Sequence, residues 1–124
     1  MLHLLKLSKT VVKTKDQIYA EFRDLINMGS GELGKFLYSK ESKLVDAEPM
    51  ESDISARKAG DRTIKILRKK RIELTKGNFE HMERVIAYIP KKLAERPEGD
   101  ITDSIWRYTL MSWGHDPLKA PKTK

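Results

Sequence analysis

A chain of 124 residues, 39% apolar and 35% charged, has the length and composition of one globular domain and is unlike a disordered or membrane-embedded protein. It contains no cysteine, which excludes a disulfide framework, a thiolate metal site and a cysteine nucleophile. Its 25 Lys and Arg against 18 Asp and Glu leave a charge of +7, which favours polyanionic partners (nucleic acid, anionic lipid or acidic protein) without choosing among them.

Residues 1–14 carry Leu2, Leu4, Leu5, Leu7, Val11 and Val12 at neither a period of two nor one of 3.6, and form an N-terminal arm for which a strand, a docked extension and a frayed chain all stay open. Lys6 and Lys9 interrupt the apolar run and no small-residue cleavage site follows. That argues against a secretory leader, so the expected location is cytoplasmic, at the nucleoid if the source is bacterial. The helical domain is expected over residues 15–119. Thr14 and Gln17 have the spacing of a capping box, and Ile18, Phe22, Leu25 and Ile26 share one face of a helix from about Lys15 to Asn27. Met28-Gly29-Ser30-Gly31 predicts a turn with Ser30 as the next cap, followed by a short helix from about Gly31 to Ser39 bearing Leu33, Phe36 and Leu37.

From Lys40 to Asp53, charges mixed with Pro49 predict the longest internal loop. The third helix, Ser55 to about Lys70, sets Ala59, Ile64, Ile66 and Leu67 on one side and Arg57, Lys58, Arg62, Lys65, Arg68 and Lys69 on the other. Leu74 and Thr75 lead into a fourth helix with a stripe of Phe79, Met82, Val85, Ile86, Ile89 and Leu93, in which Pro90 predicts a kink or a break. Thr102 or Asp103 is expected to cap a last helix carrying Ile105, Trp106, Leu110 and Trp113, with Gly114 as its left-handed end and Pro117 beyond. Residues 120–124 read as a basic tail. The fold class is therefore all-α, a compact bundle of about five helices. Its expected core is Phe22, Leu33, Phe36, Ile64, Leu67, Phe79, Val85, Ile86, Trp106, Leu110 and Trp113.

The basic face of the third helix carries the functional reading. Cations at helical spacing can meet a row of DNA phosphates, giving affinity and register without sequence choice. The expected nucleic-acid-binding residues are Arg57, Lys58, Arg62, Lys65, Arg68 and Lys69, assisted by Lys70 and Arg71; the competing explanation is a solvated outer face. A helix-turn-helix built from the first two helices is a weaker reading, because the second helix offers only Lys35, Lys40 and Tyr38 to nucleic acid. Trp106, Tyr108 and Trp113 fit core packing better than base stacking, since Trp106, Leu110 and Trp113 share a face. His115 and Asp116 are adjacent and have no third partner, so a C-terminal turn is expected there rather than acid–base chemistry. His3, His81 and His115 lack metal-ligand spacing, and no Gly-rich phosphate loop is present. Hence no enzyme, metal or cofactor is expected.

Four segments, Asn27–Leu33, Arg57–Leu67, His81–Tyr88 and Trp106–Lys119, together resemble an uncharacterised bacterial and fungal family of small proteins. Many of its members carry the label "DNA-binding protein". The resemblance runs from about Lys15 to Lys119, and the string Trp113-Gly114-His115-Asp116-Pro117-Leu118-Lys119 is its most specific part. It implies a helical DNA-associating protein and no catalytic residue. The chain departs from the family at Gly29, where Thr or Ser is frequent, and at Lys76-Gly77-Asn78, where acidic residues are frequent. Both departures weaken helix starts. The expected function is noncatalytic DNA association through phosphates; the alternative is a protein-interaction or homo-oligomeric adaptor using the apolar arm or a helix face.

Overall fold

The computed structural model describes residues 13–119; residues 1–12 of the arm and the basic tail lie outside them. Among the described residues there are six α-helices and no strand: α1 (Lys15–Leu25), α2 (Ser30–Leu37), α3 (Lys40–Asp46), α4 (Ala56–Leu67), α5 (Lys76–Leu93) and α6 (Ile105–Trp113). A single 3₁₀ turn, Arg71–Glu73, joins α4 to α5. The bundle thus has one helix more than the apolar periods predict, and the added one is α3.

The first half of the predicted long loop, Lys40–Asp46, is α3, because the Ser39 hydroxyl accepts the Ser42 N–H at 3.2 Å and starts a new helix, while residues 47–55 remain without one. The buried residues of α3 are Ser42 and Val45, so seven residues display a single buried hydrophobic and no readable stripe. Other boundaries follow local capping. Thr14 and Gln17 form the expected box, with Gln17 N–H donating to Thr14 Oγ1 at 3.1 Å and Thr14 N–H to Gln17 Oε1 at 2.9 Å. The cap of α2 is Gly29, not Ser30, with only Glu32 reaching back to the Gly29 N–H at 3.4 Å. The cap of α6 is Ser104, not Thr102 or Asp103; Thr102 bonds instead to Asp100. Asn78 closes the α5 box, exchanging hydrogen bonds with Thr75 at 2.9 and 3.2 Å.

Helix α5 runs unbroken through Pro90. Pro90 is exposed and three residues from the helix end, so the missing amide and the crowded Ile86 carbonyl fall where few hydrogen bonds remain to be lost.

The core lies between α1, α4, α5 and α6, with Phe22, Ile66, Met82, Val85, Ile89, Leu110 and Trp113 almost wholly excluded from water. A smaller cluster of Met28, Leu33, Leu37 and Ile64 joins α2 to α4. Of the expected core, Phe36, Leu67 and Ile86 are only partly buried, while Phe22, Leu33, Ile64, Phe79, Val85, Trp106, Leu110 and Trp113 are buried. Full burial of such side chains contributes roughly 1.5–3 kcal/mol each. Helices α4 and α6 come close together at Gly60, where a Cβ would run into the Ser112 carbonyl and lie 3.0 Å from Leu37 Cδ1.

Helix α1 packs on α5 and on no other described helix. The two helices of a helix-turn-helix pack against each other, so α1 and α2 do not make one.

Candidate nucleic-acid interface

Helix α4 owes its orientation to sequence. Ala59, Gly60, Thr63, Ile64 and Ile66 are buried, which turns Lys58, Asp61, Arg62, Lys65 and Arg68 to water. Ser55 caps its start by accepting the Lys58 N–H at 3.1 Å. The helix ends at Leu67, three residues before the predicted end, so Lys69, Lys70 and Arg71 belong to the following turn.

Structure divides the eight basic residues of this region into two groups. Arg57 is turned inward to α2 and α3: its guanidinium donates to the Leu37 carbonyl at 2.5 Å, to Ser42 Oγ at 2.9 Å and to Asp46 Oδ2 at 2.9 Å. Lys69 Nζ donates to Asn78 Oδ1 at 2.9 Å. Arg71 bonds Asp16 at 2.9 Å and lies over the rings of Tyr19 and Phe79, 5.6 and 5.1 Å from their centroids. These three hold the bundle together. Lys58, Arg62, Lys65 and Arg68 are exposed on one helix face, Lys70 follows them, and none has an ion-pair partner among the described residues. At about 1.5 Å per residue the row from Lys58 to Arg68 is about 15 Å long, enough to face several phosphates of one strand. Asp61 is the one acid on the same face.

Beneath this face lies His81, which helical spacing had not marked. It is 2% exposed, shares a 3.0 Å hydrogen bond with Thr63 Oγ1, and its Nδ1 has no partner. Burial pushes its pKa down to about 4, and the charges of Arg84 and Arg62 push the same way. Its ring is parallel to that of Trp113, whose other neighbour Tyr88 stacks at 4.0 Å. The tryptophans and Tyr108 are buried, with Trp106 Nε1 donating to the Lys92 carbonyl at 2.8 Å, so they are not a stacking platform.

A cavity of about 470 Å³ lies between α3, residues 47–55, α5 and α6, floored by Ile105, Thr109 and Trp113. Most of the charges around it are paired among themselves. Arg57 meets Asp46, Lys92 donates to both Glu51 oxygens at 2.8 and 2.9 Å, and Tyr88 donates to Glu51 at 2.7 Å. Just outside it, Arg84 donates twice to Asp53 at 3.0 Å and holds that carboxyl down to about 2. Together these bonds strap residues 51–53 across α5.

The expected C-terminal turn is present, and its polar groups reach further than the turn itself. His115 Nδ1 donates to the Leu25 carbonyl at 2.7 Å. Asp116 accepts two bonds from Arg107 at 3.1 and 3.0 Å, and one from the Leu118 N–H at 3.0 Å. Burial opposes ionisation of Asp116, but Arg107 and the Leu118 N–H outweigh it and keep the carboxyl below its ordinary range. Every one of these groups is spent on docking. Among the described residues no group of three His, Asp or Glu is placed to hold a metal ion, and no helix is long and apolar enough to cross a membrane.

Fold and surface together define a small all-helical protein with an outward helix of unpaired cations. The chain belongs to the family described as "Protein of unknown function (DUF3140)", which matches residues 21–111. The Trp113–Lys119 string lies beyond the matched residues. No curated protein and no solved structure matches the chain.

Proposed function

We propose that the protein is a noncatalytic DNA-binding module that contacts phosphates through Lys58, Arg62 and Lys65 of α4 and Arg68 at its C-terminal cap, with Lys70 beyond them. One observation carries the reading. Of the eight arginines in the chain, six engage a carboxylate, a carbonyl or an aromatic ring: Arg23, Arg57, Arg71, Arg84, Arg96 and Arg107. Arg62 and Arg68 have no such partner among the described residues, and both are on the α4 face. The guanidinium fork is the side chain best matched to phosphate, so arginines left open on one face favour an external anion.

The test is binding of purified, nuclease-treated protein to labelled duplex DNA over a salt series. Four phosphate contacts give a log–log salt slope of about −3 to −4, and R62E/K65E should flatten it by about 2 while weakening affinity. No binding at physiological salt, or binding indifferent to this double reversal, overturns the proposal.

A further inference from the structure

Ile72 is the most exposed large hydrophobic side chain among the described residues, at 90%. It sits at the middle of the 3₁₀ turn into which the α4 cation row runs, between exposed Lys70 and Glu73. The turn is tightly closed. Lys70 N–H donates to Glu73 Oε1 at 2.7 Å, Glu73 N–H to the Lys70 carbonyl at 2.9 Å, and Leu74 N–H to the Arg71 carbonyl at 3.3 Å. It is also braced from below, because Arg71 ties it to Asp16 of α1 and covers the Tyr19 and Phe79 rings. Ile72 is left in water on a turn closed by these bonds.

We propose that Ile72 is an apolar wedge for duplex DNA: with the α4 row on the phosphates, the tip enters the adjoining minor groove and inserts Ile72 between base pairs, bending the duplex. The inference rests on the phosphate-contact reading of α4. Charge and size select this partner. The cations Arg68 and Lys70 on the approach to the tip match a polyanionic wall, and the apolar stack behind that wall matches the tip itself. One isoleucine suffices to pry open one base step. It is too little for the other candidates, since a protein interface of ordinary size covers about 800 Å² on each side and a stable membrane anchor needs a much larger apolar face.

The experiment measures energy transfer across an end-labelled duplex of about 30 base pairs, together with the salt dependence of binding, for the wild-type protein, I72A, R62E/K65E and L44A. Leu44, half-exposed on α3, controls for loss of an exposed aliphatic group elsewhere. The wedge predicts that I72A folds as wild type, keeps its salt slope, loses most of the bend and binds about 5–10-fold more weakly, whereas L44A changes neither. If I72A bends and binds DNA as wild type does while R62E/K65E does not, the wedge fails and the phosphate row stands. If wild type fails to bind DNA at physiological salt, both fail. Binding of wild type to phosphatidylserine vesicles that depends on Ile72, with DNA bending that does not, assigns the tip to a lipid surface and overturns the wedge.

Discussion

At the scale of single residues, His81 is the group whose chemistry is most altered by the fold. An imidazole enclosed by α4, α5 and α6, with Arg84 and Arg62 close enough to oppose its protonation, stays neutral until pH falls to about 4, against an unfolded value of 6.5. Asp53 would favour the imidazolium, but its charge is already shared with Arg84. The unfolded chain therefore binds a proton at His81 before the folded one does, so stability is fully present above pH 6.5 and is lost as pH falls from 6.5 to about 4. Below that both states are protonated and the loss levels off at roughly 3 kcal/mol. The His81 ring resonance, followed by NMR, should titrate with a midpoint near 4. A midpoint near 6.5 would mean that the ring is hydrated. In a H81Q protein the fall in stability between pH 6.5 and 4 should shrink, because the glutamine binds no proton in either state.

At the scale of elements, Arg57 and Arg62 stand five residues apart on one helix and do opposite work. Helical periodicity places both away from the Ala59–Ile66 side; that is right for Arg62, which is exposed, and misses that Arg57 turns inward to α2 and α3. It carries no information about α3, whose Ser42 and Asp46 arrive beside Arg57 only because Ser39 caps a helix that the apolar pattern does not announce. R57A should lower stability by about 1–3 kcal/mol, since it leaves a carbonyl, a hydroxyl and a carboxylate without their donor. Hydrogen exchange should quicken first in residues 40–46, while the salt slope for DNA stays as in wild type; a slope reduced by one would return Arg57 to the binding face. The same distinction governs what was legible in the sequence. Thr14 with Gln17, the α4 stripe, the burial of both tryptophans and the left-handed Gly114 follow from neighbours within a turn or two of chain. Ser104 is a local cap, bonded to the Ile101 carbonyl and the Arg107 N–H, one of several neighbouring residues able to start the same helix. Gly60 and the inward Arg57 depend on which other element comes to lie beside them. No period or spacing in the chain encodes those meetings.

At the scale of the whole molecule, the weak join is α1, which packs on α5 alone and is otherwise held by Arg71, bonded to Asp16, and by residues 89 or more positions away in sequence. Asn27, just past its end, works like a strip of sheet: its Nδ2 donates to the Asp116 carbonyl at 2.9 Å and its Oδ1 accepts the Asp116 N–H at 2.7 Å. The Asn27 and Met28 amides donate to the Gly114 carbonyl at 3.2 and 3.3 Å. Lys119 Nζ donates to the Asn27 carbonyl at 2.8 Å, and His115 holds Leu25. Gly114 is required at the bend, with φ of 108° and Ile26 Cδ1 2.9 Å from where a Cβ would be. The clasp therefore closes the longest loop in the described chain, and closing it costs chain entropy that only the finished fold repays. N27A strands a partly buried N–H and carbonyl of Asp116, which should cost about 2–4 kcal/mol out of a total of roughly 5–15 kcal/mol. Ile18 and Phe22 keep α1 seated on α5, so the loss should be global rather than a separate fraying of α1. In urea, the tryptophan signal from α6 and the helical circular dichroism of the whole chain should move together to a lower midpoint. If instead the helical signal falls first and the tryptophan midpoint stays where it was, α1 is an independent unit and the clasp stabilises that helix alone.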